Sequence, residues 1–480
     1  MDGHDLHSPG PGPHGIFHGG ATGQRAERGA SSGPARGPDG DLPLNESLTG
    51  AVLIGLLFFL LSIGLEVALS LGLVGILGLL WLKGWTVGMS VIGSIAWSTA
   101  SNFNYIALPL FIFMSAILLH SGIGSSLYTA VTRWVSFLPG GLAVASVFAC
   151  AIFGAVCGSS VATAATIGLI AIPEMEKRGY QRELMYGSMA AGGTLGILVP
   201  PSIPMIIYGV MTETSVGQLY VAGILPGILL SIFFAGYIIL RCTLRPDLAP
   251  RGTEKILWRE RFHSLLEAAP MVGLIFIVLG TMYLGVVTPT EAAALGALAS
   301  LILAAAYGRL KWPTLVSAFR DTVGPTSMCL LIITFASIFS HVVALLGAPK
   351  AIFQLIQDLG LPPWAVFALI FLLLILIAYA LEELSVMIIM LPFLFPLVTG
   401  LGFDGIWFGI VMIVWLEMGF ITPPVGINLF VIQGVAKGGT MKEIAWGATP
   451  YVVMMILFVG ILFLFPDLAL WLPRQMTPGR

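Results

Sequence analysis

Charge is what this chain has least of. Only 10% of its 480 residues are Asp, Glu, Lys or Arg, against roughly 25% in a soluble domain. So few charges exclude an ordinary water-soluble globule, and a net formal charge of −2 gives no argument for a nucleic-acid partner. Cysteine is scarce too. Cys150, Cys157, Cys242 and Cys329 show neither a secreted-framework spacing nor a CxxC metal pattern, and they read as small buried hydrophobes. The chain contains no GxxxxGK[ST], no GxGxxG after a strand and no HExxH. A chain without an ATP site of its own that still moves solute must draw on an ion gradient or on a partner's hydrolysis.

Apolar sequence is what it has in abundance. The hydrophobic fraction is 57% and the mean hydropathy +0.96. Runs at 219–240, 270–287, 292–307, 364–381 and 448–471 approach or exceed the roughly 18 residues that read as a membrane span. The expectation is an all-α polytopic membrane protein with about a dozen membrane elements. Residues 1–43 differ sharply, being rich in Gly, Pro, His and Ser without an apolar run. They read as a disordered tail rather than a signal peptide, and His4, His7, His14 and His18 as part of that low-complexity tail.

One stretch occurs twice. Pro200-Pro201 recurs as Pro423-Pro424, 223 residues later, and the same step carries Pro173 onto Pro396, Gly179 onto Gly402, Met189 onto Met412 and Gly196 onto Gly419. The repeat organises the chain into scaffold helices at 44–140, a first repeat core at 141–240 and a basic loop at 241–262. Further scaffold helices at 263–363, a second repeat core at 364–471 and a tail at 472–480 complete it. The basic loop carries Arg241, Arg245, Arg251, Lys255, Arg259 and Arg261, which places it on the cytoplasmic side. Within each core, two apolar arms flank a polar tip: 143–157 and 161–172 around Gly158-Ser159-Ser160, then 366–381 and 384–396 around Glu382-Glu383. Arms of this length reach about 20 Å against about 30 Å of hydrocarbon, so they predict re-entrant hairpins with tips near mid-membrane. Tips that meet at one midplane site from opposite sides require the two repeats to be inverted.

The double prolines sit where a spanning helix should be continuous. A broken helix in lipid exposes backbone groups at several kcal/mol each unless protein, water or an ion meets them. Free carbonyls and hydroxyls suit a hard cation such as Na⁺, and helix N-termini favour an anionic group. The first constellation is Gly158, Ser159, Ser160 and Thr163 with the break at Pro200, Pro201 and Ser202. The competing reading is a simple kink with Ser and Thr bonded back to carbonyls. The second is Glu382, Glu383 and Ser385 with Thr422, Pro423, Pro424, Gly426 and Asn428. Ionised groups at the bilayer centre cost at least about 2.5–3.5 kcal/mol, which a bound cation offsets. The alternative puts Glu382-Glu383 at the membrane surface. Ser160, Ser202 and Asn428 are the side chains assigned to a substrate's polar groups.

Other intramembrane polar residues have blander readings. Glu291, after Thr288-Pro289-Thr290, reads as a helix start. Glu417 stands between a role at the second cation site and a bond to a neighbouring helix. Glu66 reads as structural or interfacial, His120 and His341 as satisfied packing residues, and Trp407, Met412 and Trp415 as lipid-facing or packing residues. A serine hydrolase built on Ser159 or Ser160 would need one of those histidines within about 3 Å.

Four ordered motifs carry a family resemblance: IFGAVCGSSVATAAT at 152–166, AGGTLGILVPPSIP at 191–204, TPTEAAA at 288–294 and GFITPPVGINL at 419–429. They resemble the signatures of the large membrane subunit of tripartite ATP-independent periplasmic (TRAP) transporters, over about residues 47–470. The resemblance implies a Na⁺-coupled secondary transporter with an elevator motion in a bacterial inner membrane, with no cofactor beyond the coupling ion and no enzymatic activity. It implies a small four-helix membrane partner and a periplasmic binding protein that delivers a carboxylate-bearing solute. One Na⁺ would sit between Ser159-Ser160 and Pro200-Pro201, another between the Glu382 tip and Thr422-Pro423-Pro424. The family often has Asp-Pro where this chain has Glu382-Glu383. A stand-alone Na⁺/dicarboxylate symporter of the same superfamily is the alternative.

Overall fold

The computed structural model describes residues 44–122, 124–250, 257–378, 381–436 and 438–476. The N-terminal tail, its histidines, Arg251 and Lys255 lie outside them. Every regular element among the described residues is helical. The chain opens with α1 (Leu44–Ser62), α2 (Val67–Ala100), α3 (Ala107–Ser121) and α4 (Gly124–Val135). The first repeat follows as α5 (Gly141–Cys157), α6 (Ser160–Lys177), α7 (Arg182–Leu198), α8 (Ile203–Met211) and α9 (Val216–Leu244). Then come α10 (Trp258–Ile275), α11 (Thr281–Tyr283), α12 (Pro289–Ala306), α13 (Trp312–Leu345) and α14 (Ala348–Asp358). The second repeat is α15 (Pro363–Ala378), α16 (Glu383–Gly400), α17 (Gly405–Phe420), α18 (Ile427–Val435) and α19 (Met441–Leu464), and α20 (Asp467–Gln475) ends it.

The chain is a multi-pass membrane protein. Eight described helices are long and apolar enough to cross a bilayer, and the bent pair α7–α8 makes a ninth, turning by 41° at its break. Leu48–Ser62, α5, α15 and α17 are apolar but shorter. The 223-residue step holds at the level of elements: it carries both ends of α6 onto the ends of α16, and the start of α7 onto the start of α17.

Several boundaries differ from the sequence reading. The basic loop is shorter than 241–262, because Arg241 lies in the last turn of α9, and Arg259 and Arg261 in the first turn of α10. The segment taken to end the chain as a tail from 472 is still helical to Gln475. The reason is common to both: a polar or charged residue ends hydrophobicity, not helix propensity, and Arg is a good helix former.

Small residues set the closest helix contacts, as is usual between membrane helices. On α2, Gly72 faces the Phe335 ring, Gly75 the Phe339 backbone and Gly78 the Val342 methyls of α13. A Cβ at Gly187 of α7 would collide with the carbonyl of Gly447 on α19, and one at Gly154 of α5 with the backbone of Gly196 on α7. Trp407 and Trp415 are buried, and the Trp407 indole donates to the Leu462 carbonyl (2.9 Å). They pack inside the protein, so the lipid-facing option is excluded for them. All four cysteines are buried and free.

Candidate functional site

The first hairpin tip is built by a left-handed turn. Gly158 caps α5 at φ 63°, and Ser159 starts α6 with extended backbone, its hydroxyl accepting from the Ala162 amide (3.4 Å). Glycine is the residue that takes such a φ without a Cβ clash. Here it is required twice over, since a Cβ at Gly158 would come to 2.8 Å from the Pro201 carbonyl oxygen. The hairpin tip therefore presses directly on the α7–α8 break. Val199 and Ser202, on either side of the Pro200-Pro201 pair, are extended, and the Pro200–Pro201 bond is cis. Gly196 brings α7 close below it: a Cβ there would stand 2.7 Å from Thr163 Oγ1 and 2.8 Å from the Ser159 carbonyl.

Asn428 arrives from the other repeat. Sequence order assigns it to the second constellation. In the fold, α18 packs on α6 and α7, and Asn428 Nδ2 donates to Ser160 Oγ (2.8 Å) and to the Ala190 carbonyl (3.2 Å). Asn428 thus touches Ser160 of the first constellation, 268 residues away in sequence. Gly193 leaves room for the contact, because a Cβ there would stand 3.0 Å from Asn428 Nδ2. Gly193, Gly196 and Ala190 were not singled out among the candidate residues. Their signal was the small-residue spacing along one stripe of α7.

Three oxygens at this junction are buried without a hydrogen-bond partner: Thr163 Oγ1, Ser202 Oγ and Asn428 Oδ1. Ser202 has its carbonyl engaged by the Tyr220 hydroxyl (3.3 Å), leaving the side chain unclaimed. A buried polar group left unpaired costs about 1–3 kcal/mol, and native structures keep few of them. Neutral oxygens of this kind are the donor set that suits a hard, weakly charged cation.

The second hairpin tip is acidic. Glu382 is the N-cap residue of α16 and accepts from the Ser385 hydroxyl (3.1 Å). Glu383 buries Oε2 without a partner. The second break contains a cis Pro423–Pro424 bond, with both prolines exposed, and Gly426 in the left-handed region at φ 30°. Thr422 donates its hydroxyl to the Met418 carbonyl (2.5 Å), the back-bonded arrangement of the simple-kink reading, and keeps its lone pairs free to accept. The arm and the break are close: a Cβ at Gly419 would stand 3.7 Å from Ala378 at the end of α15.

Glu417 links the two halves. It is fully buried, neither oxygen has a hydrogen-bond partner, and the Leu198 backbone and Glu383 lie beside it. So it stands by a neighbouring helix, the end of α7 at the first break, and near the acidic tip, the two places between which its sequence reading stood. Glu291 accepts from the Thr288 amide (2.8 Å) in a capping box, as its sequence context predicts. Glu66 is exposed ahead of α2. His120 is paired with Asp321 (2.7 Å), whereas His341 is exposed on α13 rather than packed. Among the described residues no three His, Cys, Asp or Glu side chains gather as a transition-metal site would require.

A family model described as "Tripartite ATP-independent periplasmic transporter, DctM component" matches residues 54–468. The C4-dicarboxylate TRAP transporter large permease protein DctM of Vibrio cholerae is 36% identical, over 89% of this chain and 98% of its own. The isethionate TRAP transporter permease protein DctMQ of Oleidesulfovibrio alaskensis is 32% identical over 84% of this chain and 63% of its own. Among solved structures, the YdaH transporter of Alcanivorax borkumensis shares the fold with a TM-score of 0.60 at 16% identity, covering 90% of this chain and all of that one.

Proposed function

Because the chain belongs to the DctM-component family of tripartite ATP-independent periplasmic transporters, we propose that it is a permease that carries a small organic anion across a bacterial inner membrane on a Na⁺ gradient. The observation that carries this reading is the set of unpartnered buried oxygens on Thr163, Ser202 and Asn428 beside Ser159 and Ser160. A Na⁺ held by these hydroxyl, amide and backbone oxygens offsets a desolvation cost that nothing else at the junction meets. Gly158, Pro200 and Pro201 contribute by freeing carbonyls: the hairpin turn and the broken helix leave backbone oxygens without an intrahelical donor.

A second Na⁺ belongs with Glu382, Ser385 and the Thr422-Pro423-Pro424-Gly426 segment, with the Glu417 and Glu383 carboxyl groups nearby. Two Na⁺ moving through 100 mV release about 4.6 kcal/mol, at about 2.3 kcal/mol per charge, which offsets the equal cost of moving a dianion inward against the same potential and leaves the Na⁺ concentration gradient to drive uptake. Ser160, Ser202 and Asn428 are the polar groups available to the solute. The relatives' solutes, a C4-dicarboxylate and the sulfonate isethionate, are both small anions, and they support a small organic anion here, for which a carboxylate is our reading. The inverted arrangement of the repeats and an elevator motion of the hairpin-bearing part against α2 and α13 follow from the same reading.

The partners are a small four-helix membrane subunit and a periplasmic binding protein. One relative bears the combined name DctMQ, which supports the first. The chain is read as a transporter rather than a hydrolase because the relatives it matches are permeases. The test is uptake of a labelled C4-dicarboxylate into proteoliposomes holding the chain and both partners. Uptake should require an inward Na⁺ gradient and the binding protein. Equal uptake in Na⁺ and K⁺ buffers would remove the coupling, and uptake without the binding protein would favour the stand-alone symporter.

A further inference from the structure

A cavity of about 490 Å³ opens at the end of α7, α9 and α19 remote from the hairpin tips. It is lined by Glu183, Tyr237, Arg241, Arg245, Trp446 and Pro450, with Leu240 and Leu244 on its rim. Glu183 and Leu198 lie at opposite ends of α7, about 22 Å apart at 1.5 Å per residue. The cavity is therefore separate from the proposed transport site. From this cavity we propose that the protein binds the phosphate head group of an anionic phospholipid, between the ends of α9 and α19.

Charge comes first. Arg241 donates to the Tyr237 hydroxyl (3.2 Å) and lies 3.9 Å from the Glu183 carboxylate. A guanidinium has five N–H donors, so most remain unused. Arg245, one turn on, is exposed and forms no ion pair among the described residues. The neighbouring Arg182 and Glu443 pair with each other at 3.6 Å. Two guanidinium groups against one carboxylate leave the cavity a net positive charge. Both sit in the final turn of α9 or just past it, where the helix dipole favours cations and where their forks suit a phosphate.

Depth comes second. The 29 residues of α9 reach about 44 Å, longer than the hydrocarbon and matching the full bilayer with its head-group layers. Its terminal arginines therefore stand at head-group level. Leu240, Leu244 and Trp446, exposed by 59%, 72% and 62%, provide an apolar rim for acyl chains and an indole at the depth where Trp is enriched. Basic pockets between membrane helices on the cytoplasmic side hold acidic head groups by this chemistry. A soluble phosphate would use the arginines but not the rim.

The experiment is native mass spectrometry of the delipidated full chain, titrated with phosphatidylglycerol, with phosphatidylcholine of the same acyl chains, or with inorganic phosphate. The unsubstituted chain should retain one phosphatidylglycerol in preference to phosphatidylcholine. Arg245→Gln should weaken that binding about fivefold, and the double variant Arg241→Gln/Arg245→Gln about twenty-fivefold. Trp446→Ala should weaken lipid binding and leave the response to inorganic phosphate unchanged. Arg245→Gln, on an exposed side chain, keeps the test valid if the double variant does not fold. Equal losses from Arg320→Gln, an exposed arginine on α13, would mean diffuse electrostatics and overturn the site. Arginine-dependent binding of inorganic phosphate without phosphatidylglycerol would overturn the lipid.

Discussion

Asn428 occupies the position on which most depends at the scale of single residues. Its amide spans the repeats, donating to Ser160 and Ala190 while Oδ1 stays unpaired. Asn428→Ala removes two buried hydrogen bonds and one candidate ligand. An unpaired buried group costs about 1–3 kcal/mol, equivalent to about a fivefold to hundredfold change in binding. The Na⁺ concentration for half-maximal uptake should rise by that factor, measured by Na⁺ titration of solute uptake, with the amount of folded protein in the membrane little changed. Glu417 and Glu291 make a second, paired test. Glu417→Gln replaces a carboxyl group that lies fully buried beside the first break and the acidic tip, and Na⁺-driven uptake should fall at least about tenfold. Glu291 only closes a capping box with Thr288, so Glu291→Gln should cost about 1 kcal/mol of stability or less and leave the Na⁺ dependence alone. If both variants behaved alike in the Na⁺ titration, the role given to Glu417 would be wrong.

The close approach of helices is what holds the tips in place at the scale of elements. Gly158 combines a left-handed φ with contact against the Pro201 carbonyl. Gly158→Ala forces the hairpin away from the break, and transport should be lost while the chain still inserts and folds. Gly187 and Gly447 serve a different end: they let α7 and α19 touch backbone to backbone. Gly187→Leu should separate the helices and lower thermal stability, visible as a reduced melting temperature in detergent and reduced yield. A Gly158 variant that melted early, or a Gly187 variant that stayed stable, would reverse these assignments. The second arms run beyond the apolar stretches visible in the sequence, α6 to Lys177 and α16 to Gly400, and their ends fall in register at 223 residues. Nor was the extent of α9 and α10 legible, because their terminal arginines keep the helix going after the apolar run has stopped.

The two repeats meet, at the scale of the whole molecule, through α18 on α6 and α7 and through Glu417 beside Leu198. An inverted arrangement makes a direct topological prediction. Glu176 and Thr399 are exposed, near the ends of α6 and α16, and one repeat step apart. Glu176→Cys and Thr399→Cys should react with a membrane-impermeant maleimide from opposite faces of oriented vesicles. Labelling of both from one face would rule out inversion. Composition and periodicity determined on their own that this chain lives in a membrane, is helical and contains one unit twice, because those properties follow from scarce charge, long apolar runs and a constant step between prolines. Which polar groups share a site was decided only by tertiary structure. Ser160 and Asn428 are 268 residues apart, and Glu417 is remote in sequence from Leu198. Nothing in local propensity or hydropathy encodes the packing of α17 and α18 across the first repeat. That depends on which small residues let backbones come close, a property of pairs of helices rather than of either one.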